Sequence, residues 1–130
     1  MVSIDTNIVV RLLVNDDPLQ TARALALFKA HTIFISKTVV LETEWVLRAV
    51  YTLDRKKVNA SITALISLED VVVEDETVLF SALEAHSSGM DIADALHVAS
   101  SRRADKFATF DTAFRAKAAK LKIQPSVFLP

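Results

Sequence analysis

Five acidic positions in this 130-residue chain have the type and spacing to do chemistry together. Asp5 closes the short apolar opening Val2-Ser3-Ile4 and precedes Thr6-Asn7, after which Ile8, Val9, Val10, Leu12 and Leu13 fall at helical spacing. An acid at the carboxyl end of a buried strand, opening a helix, stands where open α/β sheets place their ligands. Asp111 ends Lys106-Phe107-Ala108-Thr109-Phe110 and repeats the order of strand, acid and helix. Thr109, two residues earlier, alternates to the same side of that strand. Asp91 and Asp94 are three residues apart at the start of a helix, beside an apolar face of Ile92, Ala95, Leu96 and Ala99. Glu42 lies within Val40-Leu41-Glu42-Thr43-Glu44-Trp45-Val46-Leu47.

Each acid also has a plain structural reading. Asp5, Asp91 and Asp111 are good N-caps for the helices that follow them. On a helical wheel the neighbours of Glu42 are Val39, Trp45, Val46 and Ala49, so Glu42 is expected to point inward. Glu44 and Arg48 form an i,i+4 pair on the other side, expected to be the wet one. A lone buried carboxylate is costly unless it is paired, protonated or bound to metal. Carboxylates gathered at one point repel one another and call for a cation. With no Cys and no His pair at ligand spacing, the hard oxygen donors select Mg²⁺ or Mn²⁺ over Zn²⁺. Such ions acidify and orient water and stabilise charge on a phosphoryl group.

The elements that must hold these acids alternate between strand and helix. Strands are expected at about Val2–Asp5, Thr32–Ile35, Val71–Val73, Phe107–Phe110 and Ser126–Leu129. The third, β-branched throughout, reads as a buried parallel strand. Asp17, with Pro18 behind it, caps a helix to about His31 that packs through Ala22, Leu25, Ala26 and Phe28. Ser36 caps a helix over Lys37–Leu53, and Asp54 another with Val58, Ile62, Leu65 and Ile66 at helical spacing. Glu74–Ser88, Asp91–Ala104 and Asp111–Lys122 complete the helices, with Gly89 as a break. Alternating strands and helices imply parallel βαβ units with right-handed crossovers.

Composition bounds the rest. The length is one domain's worth, residues 1–130, and 52% of the residues are hydrophobic, which excludes disorder. The absence of Cys excludes disulfides and thiolate metal sites and fits a reducing, cytoplasmic setting. There is no signal peptide to be read at the start, and no apolar run approaches the roughly 18 residues of a membrane span. Net charge is −1, but it is unevenly spread. Residues 102–130 hold seven Lys/Arg against two acids, while residues 1–101 hold eight against fourteen. Arg102, Arg103, Arg115 and Lys117 are candidates to guide an anionic polymer; the plainer reading is a solvated, Lys-rich helix face.

The ordered set Ile4-Asp5-Thr6-Asn7, Glu42 in its motif, Asp91-Ile92-Ala93-Asp94-Ala95-Leu96-His97 and Thr109-Phe110-Asp111 resembles the PIN domain, and in particular the VapC-like toxin ribonucleases. The resemblance spans nearly the whole chain. It implies a three-layer α/β/α fold with a parallel sheet of about five short strands, strand one central and strand four beside it. It implies that Asp5, Glu42, Asp94 and Asp111 bind one or two Mg²⁺ or Mn²⁺ ions. Asp91 is then an auxiliary acid, and Thr6 and Thr109 are hydrogen-bonding support. It further implies metal-dependent cleavage of RNA phosphodiester bonds, a homodimer and a small antitoxin partner.

Two other classes compete. Phosphoryl-transfer domains of receiver or haloacid-dehalogenase type also place acids at strand ends. The dehalogenase pattern wants a second Asp two residues after the first, where this chain has Asn7. The receiver pattern wants an acidic pair near strand one and an Asp ending strand three, where this chain runs Val73-Glu74-Asp75 into a helix. The non-enzyme rival is a PIN-like module whose acids only organise a partner.

Overall fold

In the computed structural model, which describes residues 1–130, the chain runs β1 (Val2–Ser3), α1 (Thr6–Val14), α2 (Pro18–Ala30), β2 (Ile33–Ile35), α3 (Lys37–Ala49), α4 (Arg55–Ile66), β3 (Val71–Val73), α5 (Glu76–Ser87), α6 (Ile92–Ala99), β4 (Lys106–Ala108), α7 (Thr112–Lys120) and β5 (Ser126–Phe128). The α/β class and the parallel pairing are those expected. Six of the seven helices start on a side chain that accepts a hydrogen bond from their first turn: Asp5, Asp17, Ser36, Asp54, Asp91 and Asp111. These short polar side chains satisfy amide groups that a helix leaves unpaired. The residues form two compact units, Met1–Glu76 and Thr77–Pro130.

In the first unit three parallel strands run in the order β1-β2-β3. The register pairs Val2 with Ile33 and Phe34 with Val72. β2 is the buried strand, with Ile33 and Ile35 almost fully covered. Helix α1 packs on α2 and α3, α3 on α4, and α4 against β3. Val9, Val10, Val40, Leu47, Val58 and Ile62 make the core between them. The hydroxyl of Tyr51 donates to Asp16 at 2.7 Å and accepts from Arg11 at 3.2 Å, tying the α1–α2 turn to the end of α3. That hydrogen bond, with the Arg11 charge, holds the Asp16 carboxyl below its usual value.

In the second unit β4 and β5 pair in parallel, Phe107 opposite Val127, and α7 packs against β5. Phe107 and Phe114 stack with ring centroids 5.5 Å apart. Helix α6 buries Ile92, Ala95, Leu96 and Ala99, the expected apolar face, and Val98 as well.

Several expectations are corrected. The five strands of the expected parallel α/β fold pair as ladders of three and two, with β1 an outer strand of the first. β1 contributes two residues before Asp5 turns the chain into α1. β3 is also an outer strand, which leaves Val72 43% exposed instead of buried. Helix α2 buries Thr21 and Ala24, while Ala22, Leu25 and Ala26 are exposed. Helix α3 stops at Ala49, short of Leu53, because the chain turns through a left-handed Thr52. Helix α6 stops at Ala99, short of Ala104; the Ser101 hydroxyl donates to the His97 carbonyl at 2.7 Å and helps close its last turn. No helix is long and apolar enough to cross a membrane.

Candidate active site: the carboxylates

In the first unit Asp5 is exposed, and one of its oxygens accepts from the Ile8 amide at 3.2 Å. Thr6, the first residue of α1, is buried. Glu42 is exposed, contrary to the inward orientation expected from the wheel. The buried stripe of α3 is Val40, Thr43, Glu44 and Leu47. Glu44 is therefore the buried carboxylate, 2% exposed, and Arg48 reaches in from the rim to donate to it at 2.9 Å. The i,i+4 pair that marks a wet face on an isolated helix here lets a charge be buried, because the cation neutralises it. Trp45, on the expected inner face, is 54% exposed. Glu42's candidacy rests on its motif and no longer on burial.

In the second unit Asp91 caps α6, accepting from the Asp94 amide at 3.0 Å. Asp111 caps α7, accepting from Phe114 at 2.9 Å, and its own amide donates to the Thr109 hydroxyl at 3.1 Å. Asp94 is half-buried one turn into α6. Burial pushes its carboxyl above the usual value, and the charges of Asp91 and Asp111 push it further; His97 opposes them. The structure thus brings Asp91 and Asp111 each within electrostatic reach of Asp94. None of the five acids has an ion-pair partner; the chain's charged pairs at close range include Arg11–Asp16, Lys37–Asp75 and Arg48–Glu44.

The four basic candidates are not gathered. Arg102 lines a cavity of about 670 Å³ with Ser81, Glu84, Asp105 and Lys122, at the amino ends of β4 and β5. Asp111 follows the carboxyl end of β4, and Arg115 is exposed close behind it on α7. Arg103 is exposed on the turn after α6. Lys117 is half-buried, its ammonium 3.2 Å from where a Cβ on Gly89 would lie. Phe110, which no motif singles out, is 86% exposed directly before Asp111. Its signal lay in the strand alternation, which separates it from Phe107.

A family model for the PIN domain matches residues 2–120. The chain belongs to the PIN domain family. PIN domains are generally nucleases, bind RNA substrates and typically use divalent metal ions. No curated protein and no solved structure matches the chain.

The donor chemistry of this PIN chain fits a hard divalent cation. Every candidate ligand is a carboxylate, none is neutralised by a Lys or Arg, and Asp94 carries the cost of its acidic neighbours. No three Asp, Glu or His side chains stand close enough together, as they lie here, to hold an ion.

Proposed function

We propose that this PIN chain is a Mg²⁺- or Mn²⁺-dependent endoribonuclease acting as one domain over residues 1–130, the toxin of a toxin–antitoxin pair. Asp5, Glu42, Asp94 and Asp111 together hold one or two ions. The motif order of the family joins the first two acids to the last two. A divalent ion bound there supplies charge neutralisation at a phosphodiester and a more acidic water. The chain's own part is positioning. Asp5 and Asp111 each spend one oxygen on a helix cap, which fixes the carboxylate and leaves its other oxygen for a ligand. Asp91, also a cap, adds negative charge beside Asp94 as an auxiliary acid. Thr109 steadies the turn that carries Asp111, and Thr6 is buried support beside Asp5. A homodimer, a small protein antitoxin and a cytoplasmic setting complete the reading.

The observation that carries it is Asp94, half-buried beside two like charges, opposed by His97 and paired with no Lys or Arg, on a chain of a nuclease family. The test is cleavage of labelled RNA with Mn²⁺ and with chelator, by wild type, Asp5→Asn and Asp94→Asn. Wild type is expected to cut only with the ion, and both variants to lose cleavage with unchanged circular dichroism. Equal cutting by all three would remove the proposed site. RNA bound but never cut would leave a PIN-like binding module.

A further inference from the structure

The cavity of about 670 Å³ at the amino ends of β4 and β5 lies wholly within the second unit, at the other end of β4 from Asp111. Cavities of about 300–1,000 Å³ take a ligand of drug size. Four charged side chains line it, two of each sign. Arg102 and Asp105 come from the stretch between α6 and β4, Glu84 from α5, and Lys122 from the turn after α7. None of the four forms an ion pair. Arg102 alone has a partner for its side chain, the Thr77 carbonyl at 3.4 Å. Half-buried Leu121 and Ile123 and buried Pro125 give the lining its apolar part.

Lys122 is held there under strain. At the end of α7 the Lys122 amide donates to the Ala119 carbonyl at 3.2 Å and the Ile123 amide to the Ala118 carbonyl at 3.0 Å. This closure puts Lys122 in the left-handed region, at φ 55°, where glycine usually follows a helix. A side chain with a Cβ is disfavoured there, and the Lys122 ammonium makes no bond within the chain that would offset it. Strained residues of this kind cluster where a ligand is clamped.

The lining decides the class of ligand. A polyanion suits Arg102 and Lys122 but is repelled by Glu84 and Asp105. An apolar helix would cover all four charges and pair with none. An extended protein segment with side chains of both signs matches all four, and its N–H and C=O groups suit the hydroxyls of Ser81 and Ser88, which also line the cavity. We propose that this cavity is the docking site for a short extended segment of a partner protein, one that carries basic and acidic side chains a few residues apart. The proposal does not depend on the chain cutting RNA.

The test is a titration of the nitrogen-15-labelled full chain, followed by amide chemical shifts in chelator. The probes are three pools of synthetic hexapeptides, one with a basic and an acidic side chain in every peptide, one basic only and one acidic only, and a single-stranded RNA 12-mer. The mixed pool should shift the amides of Ala85, Ala104 and Ile123, which line the cavity, and the other probes should leave them in place. Glu84→Gln and Lys122→Gly should each weaken binding of the mixed pool about threefold to fivefold, as loss of an exposed charge pair implies. Lys122→Gly should at the same time melt about 2–4 °C higher, because glycine relieves the left-handed turn. A Lys122→Gly variant that melts higher and binds the mixed pool as wild type does would overturn the proposal. So would equal shifts with a single-sign pool, shifts at these amides with the RNA, or no shift with any probe. Shifts at these amides that grow with protein concentration alone would assign the cavity to a second copy of the chain and overturn it as well.

Discussion

Asp94 occupies the third position of α6, where the helix dipole favours a negative charge by roughly 0.3–1 kcal/mol. Its carboxyl is nevertheless raised, so burial and the charges of Asp91 and Asp111 outweigh the dipole. The sign of the pH dependence follows. A carboxyl whose folded value is raised adds stability that is fully present below its ordinary value near 3.8 and lost as pH rises through the folded value. At neutral pH the metal-free protein therefore bears the full cost of the ionised group. Asp94→Asn removes it at nearly constant volume. In chelator at pH 7 the variant should melt about 2–4 °C higher, for a gain near 1 kcal/mol. Its advantage should shrink as pH falls toward 4. A variant that melts lower than wild type at pH 7 would show that the dipole wins and that the acids do not burden one another.

At the scale of the element, α3 separates two acids that the sequence leaves easy to confuse. Glu42 and Glu44 are two residues apart, and both of the helix's sides carry apolar residues: Val39, Val46 and Ala49 on one, Val40 and Leu47 on the other. The phase was settled by Arg48, which neutralises Glu44 and lets it enter the buried stripe. Arg48→Ala should cost about 2 kcal/mol, below the figure for a fully buried pair because the guanidinium is half-exposed. Glu42→Gln should change stability by less than about 0.5 kcal/mol. Urea denaturation of the two variants checks this, and the reverse order would restore the inward Glu42. Where a helix has one clear apolar stripe, the pattern sufficed. α4 buries Val58, Ile62, Leu65 and Ile66, all four residues read from spacing, and α6 its expected face. In α2, rich in small Ala residues, nothing fixed the phase. The caps were legible for a local reason: Asp and Ser bond to amides three residues on, whatever the rest of the chain does.

At the scale of the whole molecule, motif order and parallel pairing were legible, and the division of the strands into ladders of three and two was not. The α/β class follows from alternation, but which strands bond to which depends on contacts far apart in sequence. The two-residue β1 carries too little pattern to decide it. The candidate acids were legible one by one because each opens a helix or breaks an apolar run. The charge split was legible as well, but not its geometry, which places Arg102 and Arg115 at opposite ends of β4. That separation has a consequence for RNA. Arg115→Glu should flatten the salt dependence of single-strand binding by about 0.7 in slope for a lost phosphate contact, and Arg102→Glu should leave the slope unchanged. Equal effects of the two substitutions would return both residues to general surface charge.

The claim on which the account turns is that four acids, two early in the chain and two late, share one ion site. Binding of Mn²⁺ to the protein without RNA, followed by electron paramagnetic resonance, tests it most directly. Wild type should bind one or two ions. Asp5→Asn and Asp94→Asn should each weaken binding at least about tenfold, as loss of a ligand requires. Wild type that binds no Mn²⁺, or Asp5→Asn that binds it as wild type does, would contradict the shared site.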